Sequence, residues 1–180
     1  MCFARQGFEG TSLNDIAAGV GIRRPSLLHY FASKDAIYQQ VLLDALEDWG
    51  KQVDSTRIGD LDGWELLDGV LEASFDFFRR NPEIVRIVRR EALSEQSTLG
   101  EALRPYFLQA VAFFEREMAA GLFRTQDAAN LVVSGYASLL TYFSDGSMLR
   151  GLLDDDPFTP NALERRFVHI RQFFRAALEP

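Results

Sequence analysis

Apolar residues recur at intervals of three and four along almost the whole chain, and no stretch keeps the two-residue alternation of a strand. Short helical segments separated by glycines occupy the first 38 residues, and longer helices follow. Three aspartates, two glycines and a proline make 144–159 a predicted loop. The pattern therefore predicts an all-α fold, with longer helices at about 34–53, 61–80, 82–93, 98–120, 126–143 and 160–178.

A polar stretch at 54–60 divides the pattern into two parts. We expect a small domain with its connecting helix at 1–53 and a larger helical domain at 61–180. Asn81-Pro82 separates two helices of the larger part, because proline fits the first turn of a helix but not its interior.

The last two predicted helices carry faces suited to association. The final helix has a heptad-like apolar stripe, and the helix before it has small residues that permit close approach. Two such helices from each subunit would form a four-helix interface about a two-fold axis. An ordinary core within one chain is the alternative. The predicted homodimer interface consists of Val133, Ala137, Leu140, Leu163, Phe167, Ile170 and Phe174.

The larger part also has more aromatic residues than a minimal core needs. Aromatic stripes at helical spacing are core more often than pocket, but they can also line an apolar pocket with a few polar groups, the usual form of a small-molecule site. We predict such a pocket for a small apolar or aromatic effector. Its predicted lining is Trp64, Phe75, Phe78, Phe107, Phe114, Tyr136 and Tyr142.

The glycine-punctuated start contains two short helices joined by a tight turn. Ser12 is a good N-cap with Asp15 three residues later, as in a capping box. Gly19-Val20-Gly21 ends the first helix, and we expect Val20 to plug the core between the two. Leu27 and Phe31 of the second helix lie four residues apart and can face inward together.

Polar side chains then remain on the outside of the second helix, which is the arrangement of a helix-turn-helix. A major groove admits one α-helix, and arginine, serine and histidine can reach bases or phosphates from it. The free N–H groups at a helix start also bind phosphate, and a lysine opens the next helix. The predicted DNA contacts are Thr11, Ser12, Arg23, Arg24, Ser26, His29, Tyr30 and Lys34.

The net charge of −7 at first argues against nucleic acid, but its distribution changes that conclusion. Residues 1–38 hold four basic and three acidic residues, whereas the rest of the chain holds fifteen basic and twenty-three acidic ones. Because salt screens charges beyond roughly 8–10 Å, a local basic cluster can contact phosphate on an acidic protein.

The segments GFEGTSL (7–13), DIA (15–17), GVG (19–21), HYF (29–31) and SKDAI (33–37) resemble the DNA-binding domain of the tetracycline-repressor (TetR) family. The match keeps the family's order and spacing over about 35 residues. This resemblance implies an N-terminal three-helix helix-turn-helix domain, a C-terminal helical domain for ligand binding and dimerisation, and a repressor. It also implies release of double-stranded operator DNA when a small molecule binds.

Two features depart from the family pattern. Leu28 stands where the family usually has a tyrosine, so a phenol contact to phosphate is absent there. Family members also begin with a helix of about fifteen residues before the Gly-Phe pair, whereas only residues 1–6 precede it here. We expect either a shortened first helix or a start that lies upstream, and a shortened helix would loosen the DNA reader.

Enzymatic alternatives lack support in the sequence. The two histidines, His29 and His169, fall in different domains, and no phosphate loop, nucleophile elbow or metal-ligand spacing occurs. We therefore expect no enzyme, cofactor or metal, and, without a membrane-length apolar run, no membrane partner and a cytoplasmic protein. The remaining alternative is a helical small-molecule-binding or protein-interaction module that has lost effective DNA binding.

Overall fold

The structure is a computed structural model that describes residues 2–57, 63–94 and 97–180. The described residues are mostly helical and contain no strand, which confirms the all-α prediction. The helices are α1 (Cys2–Gln6), α2 (Leu13–Gly19), α3 (Arg24–Tyr30), α4 (Lys34–Asp54), α5 (Gly63–Arg80), α6 (Pro82–Ala92), α7 (Leu99–Ala119), α8 (Ala128–Ser144), α9 (Gly146–Leu152) and α10 (Pro160–Leu178), with a 3-10 turn at Ser55–Arg57.

Local chemistry explains where several helices begin. The side chains of Ser33, Asp127 and Thr159 accept hydrogen bonds from backbone N–H groups at the starts of α4, α8 and α10. Pro82 and Pro160 occupy the first turns of α6 and α10, where a missing N–H leaves no bond unmade. These starts lie close to the predicted ones because a cap depends on residues adjacent in sequence.

The predicted loop at 144–159 is wrong in part, because α9 lies within it. Gly146 is the first residue of α9 and packs against the ring of Phe158. An added Cβ at this position would be 2.5 Å from Phe158 Cε2. The hydroxyl of Tyr142 donates to the carbonyl of Pro157 at 2.6 Å and anchors the returning chain. The glycine that suggested a loop is therefore required by packing.

The main core lies between α5, α7, α8 and α10. Leu71, Phe114, Leu131, Ile170 and Phe174 are all buried there. Burial of such side chains stabilises the fold by about 25 cal/mol for each Å² of apolar surface removed from water.

A second core joins the three short N-terminal helices to α4 and α6. It contains Phe3, Ala17, Leu27 and Ile37, together with Ile87 from α6. The first 54 residues therefore share a core with a helix from the larger part. The division into 1–53 and 61–180 stays a prediction, and residues 58–60 of the predicted linker lie outside the described residues, as do 61 and 62 at the predicted start of the next helix.

Candidate functional site

The start of α2 is fixed by a reciprocal cap. Ser12 Oγ accepts from the N–H of Asp15 at 3.1 Å, and the Asp15 carboxylate accepts from the N–H of Ser12 at 2.9 Å. The Ser12 hydroxyl also donates to the Asp15 carboxylate at 2.5 Å, and this bond, followed by the one from the Ser12 N–H, lowers the pKa of Asp15. Thr11 is buried and its hydroxyl donates to the carbonyl of Gly7 at 2.7 Å. Its side chain is therefore not available to DNA, which corrects that prediction, whereas Ser12 stays exposed.

Val20, in the turn between α2 and α3, lies on the surface and not in the core as predicted. Val20 is 64% exposed and does not plug the core. Gly21 adopts a φ of +72°, a backbone conformation that favours glycine, and the chain then turns so that the N–H of Ile22 donates to the carbonyl of Ala17. The two helices are instead held by Ala17 and Leu27, which are both buried.

The outer side of α3 carries the predicted polar residues. Leu27 is the buried side chain of this helix, and Ser26, His29 and Tyr30 are exposed, with Tyr30 75% exposed. The rings of His29 and Tyr30 meet edge to face at 5.5 Å between centroids. Arg24 is exposed too, so that the seven-residue helix presents a cation, a hydroxyl, an imidazole and a phenol to solvent.

Two further cations flank this face in different ways. Arg23 is the exposed N-cap residue of α3. Lys34 is half-buried: its Nζ donates to the carbonyl of Phe8 at 2.7 Å and lies 4.2 Å from the centroid of the Phe8 ring. Lys34 therefore ties the start of α4 to the loop before α2, and its contact with DNA stays a prediction.

Helix α6 attaches the helix-turn-helix domain, α1 to α4, to the rest of the molecule; this domain is called the reader below. Tyr38 of α4 donates its hydroxyl proton to the buried carboxylate of Glu91 at 3.0 Å. Burial, followed by the neighbouring negative charge of Glu91, raises the pKa of Tyr38 well above its usual range. Arg90 donates to the carbonyl of Phe3 at 2.9 Å. The reader is thus bound to α6 through the buried hydrogen bond from Tyr38 to Glu91 and the hydrogen bond from Arg90 to the Phe3 carbonyl.

An apolar cavity of about 420 Å³ lies between α4, α5, α7 and α8. Trp49 lines it and donates its indole N–H to Ser74 Oγ at 3.1 Å. Asp54 and Arg104 are the charged residues among the described lining. The remaining lining is mostly aliphatic and aromatic and includes Val53, Leu67, Val70, Leu71, Leu103, Tyr106, Phe107, Ala110, Phe114, Leu131, Val132, Val133, Tyr136, Leu139 and Phe174.

Four of the seven predicted pocket residues line this cavity, and three lie elsewhere. Trp64 packs against Phe123, with ring centroids 4.8 Å apart, and beneath Arg175. Phe75 belongs to the main core, and Tyr142 faces the loop at Pro157. The residues that do line the cavity are Phe78, Phe107, Phe114 and Tyr136.

Trp49 and Tyr106 are cavity residues that sequence reasoning missed. Trp49 lies on α4, the helix expected only to connect the two parts, and its ring contacts Tyr106 at 5.3 Å between centroids. Both stand close to Gly50, where an added Cβ would be 2.8 Å from the Tyr106 hydroxyl. A glycine one residue after a tryptophan in an otherwise regular helix was the available signal for this close approach of α4 and α7.

The predicted interface residues divide by burial. Leu140, Ile170 and Phe174 are 1%, 2% and 3% exposed because they pack inside the chain's own core, so they are corrected to core residues. Leu163 and Phe167 are partly buried against the same core. Val133 and Ala137 are exposed, although Val133 also borders the cavity.

The exposed side of α8 and α10 forms an open groove. Ser134, Ala137 and Thr141 of α8 face His169 and Phe173 of α10, and Phe173 is 55% exposed. The groove also contains Arg166, which donates to the carbonyl of Ser138 at 2.9 Å and lies 5.0 Å from the Tyr142 ring centroid.

Comparison with known proteins identifies the family. A model described as "Bacterial regulatory proteins, tetR family" matches residues 1–41, and one described as "Tetracyclin repressor-like, C-terminal domain" matches residues 65–173. The chain belongs to the TetR family. It is therefore a TetR-type transcriptional regulator with a helix-turn-helix, and the predicted resemblance is confirmed.

Similar TetR regulators align over part of their length. The repressor KstR2 of Mycobacterium tuberculosis H37Rv is 37% identical over 95 residues, which are 50% of this chain and 45% of that protein. The regulator RutR of Escherichia coli K12 is 45% identical over 47 residues, which are 26% of this chain and 22% of that protein. The alignments thus span less than half the length of these relatives.

Solved structures show the same TetR fold over nearly the whole chain. A putative fatty acid metabolism regulator of Clostridium perfringens has 20% identity and a TM-score of 0.77, covering 94% of this chain and 89% of that one. The structure of AibR in complex with isovaleryl coenzyme A and operator DNA has 19% identity and a TM-score of 0.75, covering 95% and 90%. At these identities the likeness concerns the fold.

The part of the chain that the structure describes lacks two other features, a metal-ion cluster and a membrane-spanning helix. No group of three or more acidic, histidine or cysteine side chains there could hold a metal ion. None of the helices in that part is long and apolar enough to cross a membrane.

Proposed function

We propose that this TetR regulator is a repressor that binds palindromic operator DNA as a homodimer and releases it when a small apolar effector occupies the cavity. The observation that carries the proposal is the exposure of Arg24, Ser26, His29 and Tyr30 on α3, a short helix held to the core by the buried Leu27. Arginine and histidine on such a helix can contact bases in the major groove.

The dimer is proposed to form through the exposed groove of α8 and α10. The surface differs from the one that the sequence predicted, since it uses Ala137, His169 and Phe173 of the groove rather than the buried stripe of α10. Phe173 is 55% exposed, so pairing of two such faces would remove apolar surface from water. A two-fold axis there would place two readers on successive major grooves of one operator.

The effector is proposed to be a mostly apolar molecule that fits the cavity. A volume of about 420 Å³ falls within the range of roughly 300–1,000 Å³ that small-molecule sites occupy. Relatives named for ketosteroid and fatty acid regulation, and AibR with its isovaleryl coenzyme A, suggest apolar metabolites in this fold.

The cavity and the reader are proposed to be coupled through α4, because Trp49 lines the cavity and Tyr38 of the same helix holds the reader to α6. A ligand that moves Trp49 would tilt α4 and change the separation of the two readers. Such coupling requires the effector to bind the two states with different affinity. An operator is DNA inside the cell, so we also propose that the protein is cytoplasmic.

The deciding experiment is a gel shift of the purified protein with the DNA upstream of its own gene. We expect specific retardation that weakens as salt rises, and weaker retardation in Arg24→Gln and His29→Ala. Arg86→Gln, which removes an exposed arginine of α6, is the matched control. No retardation at low salt would refute DNA binding and favour a helical binding module.

Native mass spectrometry should give a dimer, and a monomer at micromolar concentration would refute the two-fold arrangement.

A further inference from the structure

The charged residues of the cavity lining point to a class of ligand. Arg104 and Asp54 are the two charged side chains among the described lining residues. Asp54 has an interaction of its own, whereas Arg104 forms no ion pair with any described carboxylate. Arg104 is also exposed, so its guanidinium borders both the cavity and solvent. An unpaired cation at the border of an apolar cavity attracts an anion, because the pairing needs little desolvation of either group.

The face of α7 that lines the cavity changes from polar to apolar along its length. Gly100 and Arg104 lie at its first turns, four residues apart and thus on one face. Phe107, Ala110 and Phe114 follow on that face, and Phe114 is buried. With a rise of 1.5 Å for each residue, Arg104 and Phe114 lie about 15 Å apart along the axis.

We infer that the effector is an amphipathic anion whose negative head group pairs with Arg104 and whose apolar chain extends along α7 toward Phe114. This inference rests on the proposed function of the cavity and names the ligand class. The negative charge can come from a carboxylate or from the phosphates of an acyl coenzyme A, since a guanidinium forms paired hydrogen bonds with either group.

The test measures binding of three probes with the same chain: dodecanoate, dodecanoyl coenzyme A and neutral dodecan-1-ol, each below its micelle-forming concentration. The chain has two tryptophans, Trp49 in the cavity wall and Trp64 outside it. In a Trp64→Phe background, therefore, the fluorescence of Trp49 reports occupancy of the cavity. We expect at least one anionic probe to bind roughly tenfold more tightly than dodecan-1-ol, a size suited to a half-solvated charge pair.

The Arg104→Gln variant should remove that preference, raising the Kd of the anion roughly tenfold while the Kd of dodecan-1-ol stays unchanged. Arg104→Lys should restore part of it. Arg86→Gln removes an exposed arginine of α6 that does not line the cavity, and it should change neither Kd. A response confined to dodecanoate or to dodecanoyl coenzyme A would identify the source of the charge.

Equal Kd values for the anions and dodecan-1-ol, or a loss of all three in Arg104→Gln, would overturn the inference and leave the cavity as an apolar site. Absence of any Trp49 response to the three probes would also overturn it. DNA binding is judged separately by the gel shift, so failure of the ligand class is distinguishable from failure of the regulator itself.

Discussion

The hydrogen bond between Tyr38 and Glu91 should be the most costly polar contact to remove between the reader and α6. Both side chains are buried, at 7% and 8% exposure, and their oxygens are 3.0 Å apart. Tyr38→Phe keeps the edge-to-face contacts with Phe3 and Phe8, each 5.1 Å between centroids. The change therefore removes one hydroxyl and leaves a buried carboxylate without that donor. Hydrogen bonds to charged groups contribute about 1.5–3 kcal/mol, so we expect the free energy of unfolding to fall by that amount.

The assay is urea unfolding followed by far-ultraviolet circular dichroism at fixed protein concentration, because dimerisation would make stability concentration-dependent. Tyr30→Phe, at an exposed position of α3, is the matched control and should change stability by less than about 0.5 kcal/mol. A double-mutant cycle with Glu91→Gln should give a coupling energy of about 1 kcal/mol. A Tyr38→Phe variant as stable as the control, with additive effects in the cycle, would refute the reasoning.

Three further predictions concern the reader and the main core. Leu27→Ala should destabilise the reader by about 2–4 kcal/mol, because it opens a cavity behind α3, and unchanged urea unfolding would contradict this. Arg24→Gln should reduce the slope of log affinity against log salt by about 1, since it removes a cation proposed to bind phosphate. Lys34→Gln should instead weaken DNA binding at an unchanged slope, because it removes the bond to the Phe8 carbonyl. Equal slopes for the two variants would refute the distinction. Burial raises the pKa of Asp68, but hydrogen bonds from Arg171 and Arg175 outweigh it and lower that pKa overall. The stabilisation from Asp68 is therefore present above its unfolded pKa of about 4 and lost as the pH falls. Asp68→Asn should accordingly flatten the decline in the free energy of unfolding between about pH 5 and 3. A decline as steep as that of the wild type would contradict this.

Helix positions and the reader were predictable because their determinants are local. The capping pair of Ser12 and Asp15 and the first-turn prolines each act within a few residues of chain. Leu27 and Phe31 are predictable as inward-facing residues because they lie four residues apart, and both pack in the second core. The exposure of Val20 is not predictable in this way, since a residue in a turn has no helical face and its burial depends on where the chain on either side is held.

Short-range periodicity, caps and motif spacing specify the family, the helical class and the exposed polar residues of α3. Which apolar face meets which partner depends on tertiary packing. Leu140, Ile170 and Phe174 have the spacing of an interface but are buried within their own chain, Ile170 and Phe174 in the main core, while Phe173 remains exposed. Trp49 likewise became a cavity residue only through the close approach of α7 to Gly50. An apolar stripe states that a surface must leave water, and the packing of distant helices determines what covers it.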